Sequence, residues 1–425
     1  VGGVALYANT TADNNTGVGY FALGANTTGT QNTALGKTAL QATTTGGYNS
    51  AVGSSAMYSN TTGEYNTALG RTALYANTTA DYNTAIGHNA LGANTTGQRN
   101  TAVGSGALDT NTTASDNNAF GESALTANTT GSDNNAFGRL ALAANTTGVS
   151  NCAFGHATLD ANTTNSYNSA FGAEVLTNST VDNNSGFGFR ALKETTTGSE
   201  NCAFGTNSLR DNTTGSYNTA FGKDALIANT TAIVSTAIGW GALSTNTTGA
   251  QNTAVGANAL QYNNGDYNVA VGRQSLQANT TGNNNVSMGW QALLANTTGV
   301  DNTAVGMQAL TSVVTGNYNT AIGARALMSA TGAGSCAVGE DALMTATTGT
   351  QNIAMGQSAL RLMVTGSQNI AIGANTLAAD TSPSYCTAVG HAALNANATS
   401  YNTGIGYHAL LSNSTGARNV AVGAL

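Results

Sequence analysis

Large apolar side chains recur along this chain at a fixed interval, and the interval is too long for any helix or strand period. Aligned on the glycine of segments such as Asn32-Thr33-Ala34-Leu35-Gly36, anchors fall at Gly2, Gly19, Gly36, Gly53, Gly70 and onward to Gly423, a period of 17 residues. Four intervals are one residue shorter, those ending at Gly188, Gly272, Gly339 and Gly406, and the missing residue is expected in the Thr-Thr-Gly-x-x stretch. That stretch has the character of a tolerant surface loop.

Each column of the repeat carries its own constraint. The residue before the anchor is large and apolar in all 25 complete units, as in Leu35, Leu69, Phe120, Phe137 and Phe154. The residue four after it is Leu throughout, as in Leu40, Leu74, Leu125, Leu142 and Leu159, with Met57 the one replacement. Both columns are expected to point into one core, in register from rung to rung. Two such side chains do not offset the entropy of ordering 17 backbones, so one unit cannot fold alone and stacked neighbours must supply the rest.

Two before the anchor stands Ala in 21 of 25 units, otherwise Gly17, Gly186, Ser287 or Gly404. On an extended segment it points opposite to its large neighbour, so a close contact is expected on that second face, from another wall of the coil or from a second chain. Four before the anchor stands Asn in 22 of 25 units, with Ser235, Ser335 and Cys386 as exceptions, and it reads as a corner that stacks into an amide ladder. Asn-Thr-Ala-Phe-Gly reads as a parallel strand. Gly-x-x-Ala-Leu-x-Ala-Asn fits either a second strand or one helical turn. The expected fold is therefore all-β: an elongated parallel β-solenoid of about 25 rungs, 17 residues each, with a helical turn per rung as the open alternative. At strand spacing such a stack would run to roughly 120 Å.

Composition narrows the function. Only 7% of the residues are charged and the formal net charge is -7, so the surface must be solvated mainly by Asn, Thr, Ser and Gln. No basic footprint for nucleic acid exists, and no apolar run reaches the roughly 18 residues that span a bilayer. The chain opens inside one repeat (Val1, Gly2) and closes inside another (Gly423, Leu425), which suggests one continuous array over residues 1–425, cut from a longer protein or abutting another subunit.

Candidate chemistry is sparse. Cys152 and Cys202 share a column three rungs apart, too far for a disulfide within one chain, and Cys336 and Cys386 are separated similarly. His88, His156, His391 and His408 lack a companion Cys or carboxylate cluster, so no metal, cofactor or catalytic site is expected and the chain does not read as an enzyme. Glycine recurs without the Gly-x-x-x-x-Gly-Lys pattern of a phosphate loop.

Asn-Thr-Thr triplets at Asn26, Asn77, Asn94, Asn128, Asn145, Asn229 and Asn296 are formal N-glycosylation acceptors. Thr43-Thr44-Thr45 keeps the Thr pair without Asn, so Thr is also wanted for itself. Regular Thr columns raise ice binding as one alternative role. Tyr48, Tyr65 and Tyr82 align on three successive rungs and raise another, a stripe that stacks against sugar rings.

Segments such as Tyr82-Asn83-Thr84-Ala85-Ile86-Gly87-His88-Asn89-Ala90-Leu91 and Tyr217-Asn218-Thr219-Ala220-Phe221-Gly222 resemble the repeats of bacterial and phage tail-fibre-like proteins and of trimeric autotransporter adhesin heads. The likeness spans the chain, although adhesin heads use a shorter unit without the Ala-Leu step. It implies an extracellular, cell-surface or virion-borne shaft that assembles with copies of itself and presents an adhesive surface, with host or cell-surface glycans as partners.

Overall fold

A computed structural model describes residues 2–424. The chain folds as an all-β parallel β-solenoid with one three-residue strand per repeat, from β1 (Thr16–Val18) to β25 (Val420–Val422). Chain contacts divide it into two units, Val1–Thr214 and Gly215–Leu425. The first holds β1 through β12 (Cys202–Phe204) and the second β13 (Thr219–Phe221) through β25. In each, neighbouring repeats pair in parallel with every column in register, as in Thr33↔Ser50, Ala34↔Ala51 and Leu35↔Val52, or Thr303↔Thr320 and Val305↔Ile322.

The four shortened repeats keep that register; Val255 still faces Val271 and Ile322 faces Val338. Their lost residue comes from the Thr-Thr-Gly loop, because the loop carbonyl that closes the rung is then met 13 residues after the strand asparagine rather than 14, as in Asn252 Nδ2 to Gly265 O.

The core differs from expectation in one column. Leu40, Leu74, Leu125, Leu142 and Leu159 are fully buried, as are the alanines two before each anchor, such as Ala34 and Ala85. The residue before the glycine faces outward: Leu35 is 47% exposed and Leu69 48%, while Phe120, Phe137 and Phe154 are half-buried. Alternation along a strand allows only one parity inside. Space decides which, because a Cβ added at Gly17 would already lie 3.3 Å from Leu6 Cγ, and one at Gly404 3.0 Å from Leu394 Cγ. With Leu inside, a 17-residue coil admits nothing larger than Ala, Gly or Ser opposite it.

The Gly-x-x-Ala-Leu segment is neither strand nor helical turn, and no helix occurs among the described residues. Ala39 and Leu40 are both buried, unlike the strand residues of the same coil, where burial alternates along the wall. A right-handed turn is excluded by backbone angles: φ is +56° at Thr38 and +50° at Leu40, and every leucine of this column, Met57 included, is left-handed. Side chains there cost about 1–2 kcal/mol each. Inter-rung hydrogen bonds such as Leu40 N to Ala56 O and Ala42 N to Tyr58 O hold them in place. The anchor glycine has no substitute. At Gly87 φ is +135°, and a Cβ would strike the carbonyl of Gly104 on the next rung.

Candidate functional site

Two asparagine files run inside the coil and close each rung. In one repeat Asn134 and Asn145 both donate Nδ2 to the carbonyl of Gly148, at 2.8 and 3.1 Å. Asn285 and Asn296 do the same to Gly299. Between rungs, each Oδ1 of the strand file accepts from the next rung's backbone, as Asn66 Oδ1 does from Asn83 N at 2.9 Å. The loop file forms an amide chain in which Asn111, Asn128 and Asn145 each donate to the Oδ1 of the preceding asparagine at 2.9–3.0 Å. Buried amides are costly unless bonded, and here bonding to both neighbours makes them a spine.

The expected glycosylation sites belong to that spine. Asn26, Asn77, Asn94, Asn128, Asn145, Asn229 and Asn296 are all fully buried. Their Nδ2 groups donate within the ladder or to the loop carbonyl, as Asn77 does to Asn60 Oδ1 and Ala80 O. A sugar on such a nitrogen is incompatible with the fold, which corrects the reading of Asn-Thr-Thr as a glycan acceptor. The first threonine has its own role: Thr61 Oγ1 donates to Thr78 O at 2.9 Å, and Thr95 Oγ1 to Thr112 O at 3.0 Å.

Tyr48, Tyr65 and Tyr82 lie on the surface as expected, 45%, 45% and 57% exposed. Their rings stack on one another at 4.7 Å and 5.1 Å with interplanar angles of 12° and 2°. Both faces of Tyr65 are therefore taken, which leaves ring edges and hydroxyls to water rather than open platforms for sugars.

The outward strand face was missed by sequence reasoning. It presents a Thr-rich column and, two residues on, the Val/Leu/Ile/Phe/Met column, with Phe120, Phe137, Phe154, Phe171 and Phe187 stacked at 4.5–4.7 Å. A signal existed in the sequence. The alanine column is nearly constant while its neighbour varies among five residue types, as confinement and open space respectively demand.

Remaining chemistry is scattered. All four cysteines are free thiols, and burial raises the pKa of Cys152, Cys202 and Cys386. Charges pair across rungs at the surface, as in Arg99 with Asp116 at 2.7 Å. His391 and His408 stand with ring centroids 5.6 Å apart beside Tyr407. Among the described residues no three His, Cys, Asp or Glu side chains form a metal-binding group, and no helix is long and apolar enough to cross a membrane. No family model matches the chain, and no curated protein is significantly similar to it.

Proposed function

We propose that this chain is a structural shaft segment that assembles with copies of itself through its outward strand face, as part of an extracellular or virion-borne fibre. The observation that carries the reading is the continuous apolar column on that face. Leu35 and Leu69 are nearly half exposed and the column residues of the other ten strands in the first unit are half-buried, so each rung leaves on the order of 20–80 Å² of apolar surface. Over the 12 strands of the first unit that amounts to on the order of several hundred Å², approaching the roughly 800 Å² each partner gives to a stable interface. Such a stripe on a neutral surface marks an interaction site. A second copy has the matching rung spacing, so apolar columns meet over their whole length. The resemblance to tail-fibre-like and adhesin-head repeats supports the same reading.

Sedimentation velocity and negative-stain images of the wild type and of the triple variant Leu69→Lys, Phe137→Lys, Phe171→Lys test it. The wild type should sediment as an oligomer, and the variant as a folded monomer with unchanged circular dichroism. A wild type that stays monomeric up to its solubility limit removes the proposal.

A further inference from the structure

One rung of the second unit departs from the uniform surface. Two residues after each anchor the column carries a side chain at left-handed φ, as in Asp224, Asn258, Gln274 and Gln291, but at Gly241 it carries none. The gap opens a notch of about 350 Å³, lined by Asp224, Ile227, Trp240, Ser244, Asn258 and Gln261 among others. Trp240 rises beside it, 56% exposed. Asn258 folds its Oδ1 under the notch, 2.6 Å from where a Cβ on Gly241 would stand, and that oxygen accepts no hydrogen bond.

We infer that this notch is a binding subsite for a neutral hexopyranose, at the level of a mono- or disaccharide. The apolar C–H face of a pyranose ring stacks on an exposed indole, because the ring's quadrupole favours partly positive hydrogens. Adjacent hydroxyls need acceptors and donors at short range. The Asp224 carboxylate accepts from two of them, the Asn258 and Gln261 amides do both, and the Ser244 hydroxyl adds a further pair of roles. The Asn258 Oδ1, turned outward about its side-chain bonds, gains the partner it lacks. The Lys223 ammonium stands 3.9 Å from the Asp224 carboxylate, so the rim carries no net positive charge that would select an anionic sugar. The volume sits at the small end of ligand sites, which suits one or two rings. A comparable gap at Gly106 has Ser105 where this one has Trp240, so it offers hydroxyls without a platform.

The inference is independent of self-assembly, since the notch lies on the segment after the anchor and not on the strand face. Titration calorimetry and saturation-transfer NMR with methyl glucoside, galactoside and mannoside, N-acetylglucosamine and lactose, with sialic acid as the anionic control, test it. At least one neutral sugar should bind saturably in the millimolar range expected of so small a ligand. Two variants should weaken it by at least about tenfold: Trp240→Ala, which removes the platform, and Gly241→Asn, which fills the notch. Gly241→Asn keeps the fold because Asn258 occupies the same column at φ +56°. Circular dichroism and sedimentation should match the wild type. Binding of none of the neutral sugars, undiminished binding in Gly241→Asn, or preference for sialic acid overturns the inference.

Discussion

The loop-file amide ladder breaks where another residue replaces asparagine, and the breaks at Thr43, Ser179 and Thr195 each leave a buried hydroxyl without a hydrogen-bond partner. At Thr43 the hydroxyl has no hydrogen-bond partner, and neither does the Oδ1 of Asn26 on the preceding rung. Thr43→Asn should repair the spine. The new Nδ2 would donate to Asn26 Oδ1 and to Gly46 O, which already accepts from Asn32 as Gly148 O does from Asn134 in the intact arrangement. The new Oδ1 would accept from Asn60 Nδ2, as Asn60 Oδ1 accepts from Asn77. Three hydrogen bonds at a central value of about 1 kcal/mol each, less up to about 2 kcal/mol of extra side-chain entropy, give a net gain of roughly 1–3 kcal/mol. Because repeat arrays open locally, the measurement is native-state hydrogen exchange of amides in the flanking rungs, such as Asn26 N and Asn60 N. Slowing of about five- to 150-fold corresponds to that energy. Asn94→Thr makes the converse break in an intact stretch and should speed exchange by a similar factor. Unchanged or faster exchange in Thr43→Asn, with Asn94→Thr also silent, would refute the view that the ladder stabilises the coil.

Column polarity is checked by a pair of truncations. Leu74→Ala should cost about 2–5 kcal/mol in denaturant unfolding, whereas Leu69→Ala, five residues earlier and outward, should cost less than about 1 kcal/mol in the unassembled chain. Gly87→Ala should destabilise by at least about 3 kcal/mol, since it combines a forbidden φ with a backbone clash, and a melting temperature near the wild type's would contradict it. Asp380 stands in the loop file, 5% exposed, and burial raises its pKa although the Ser382 and Thr381 amides and the Asn397 side chain pull it back. A raised folded pKa favours the protonated form, so its penalty is absent below the ordinary carboxylate range and grows as pH rises through the folded value. Asp380→Asn should therefore be more stable than the wild type at pH 7, and the difference should fade as unfolding is measured toward about pH 4.

Period, strand placement and rung count were legible in the sequence because a repeat imposes identical constraints 25 times, and the parallel pairing follows from stacking identical segments in one direction. The loop origin of the one-residue deletions was legible for the same reason. Polarity was not. Size and apolarity assign both Leu35 and Leu40 to the core, and only the coil's cross-section, too narrow for a second large side chain beside Leu, turns the strand so that Ala34 faces in and Leu35 faces out. The Asn-Thr-Thr triplets carried the same ambiguity, since a surface acceptor and a buried amide spine share one sequence. Tertiary stacking separates them: Asn94 meets Asn77 and Asn111, each 17 positions away, only after the chain between them has closed each rung. Left-handed leucines are likewise invisible to local propensity, which disfavours them at every position. They persist because hydrogen bonds to another rung hold them, as from Leu40 N to Ala56 O, an energy that no single repeat contains.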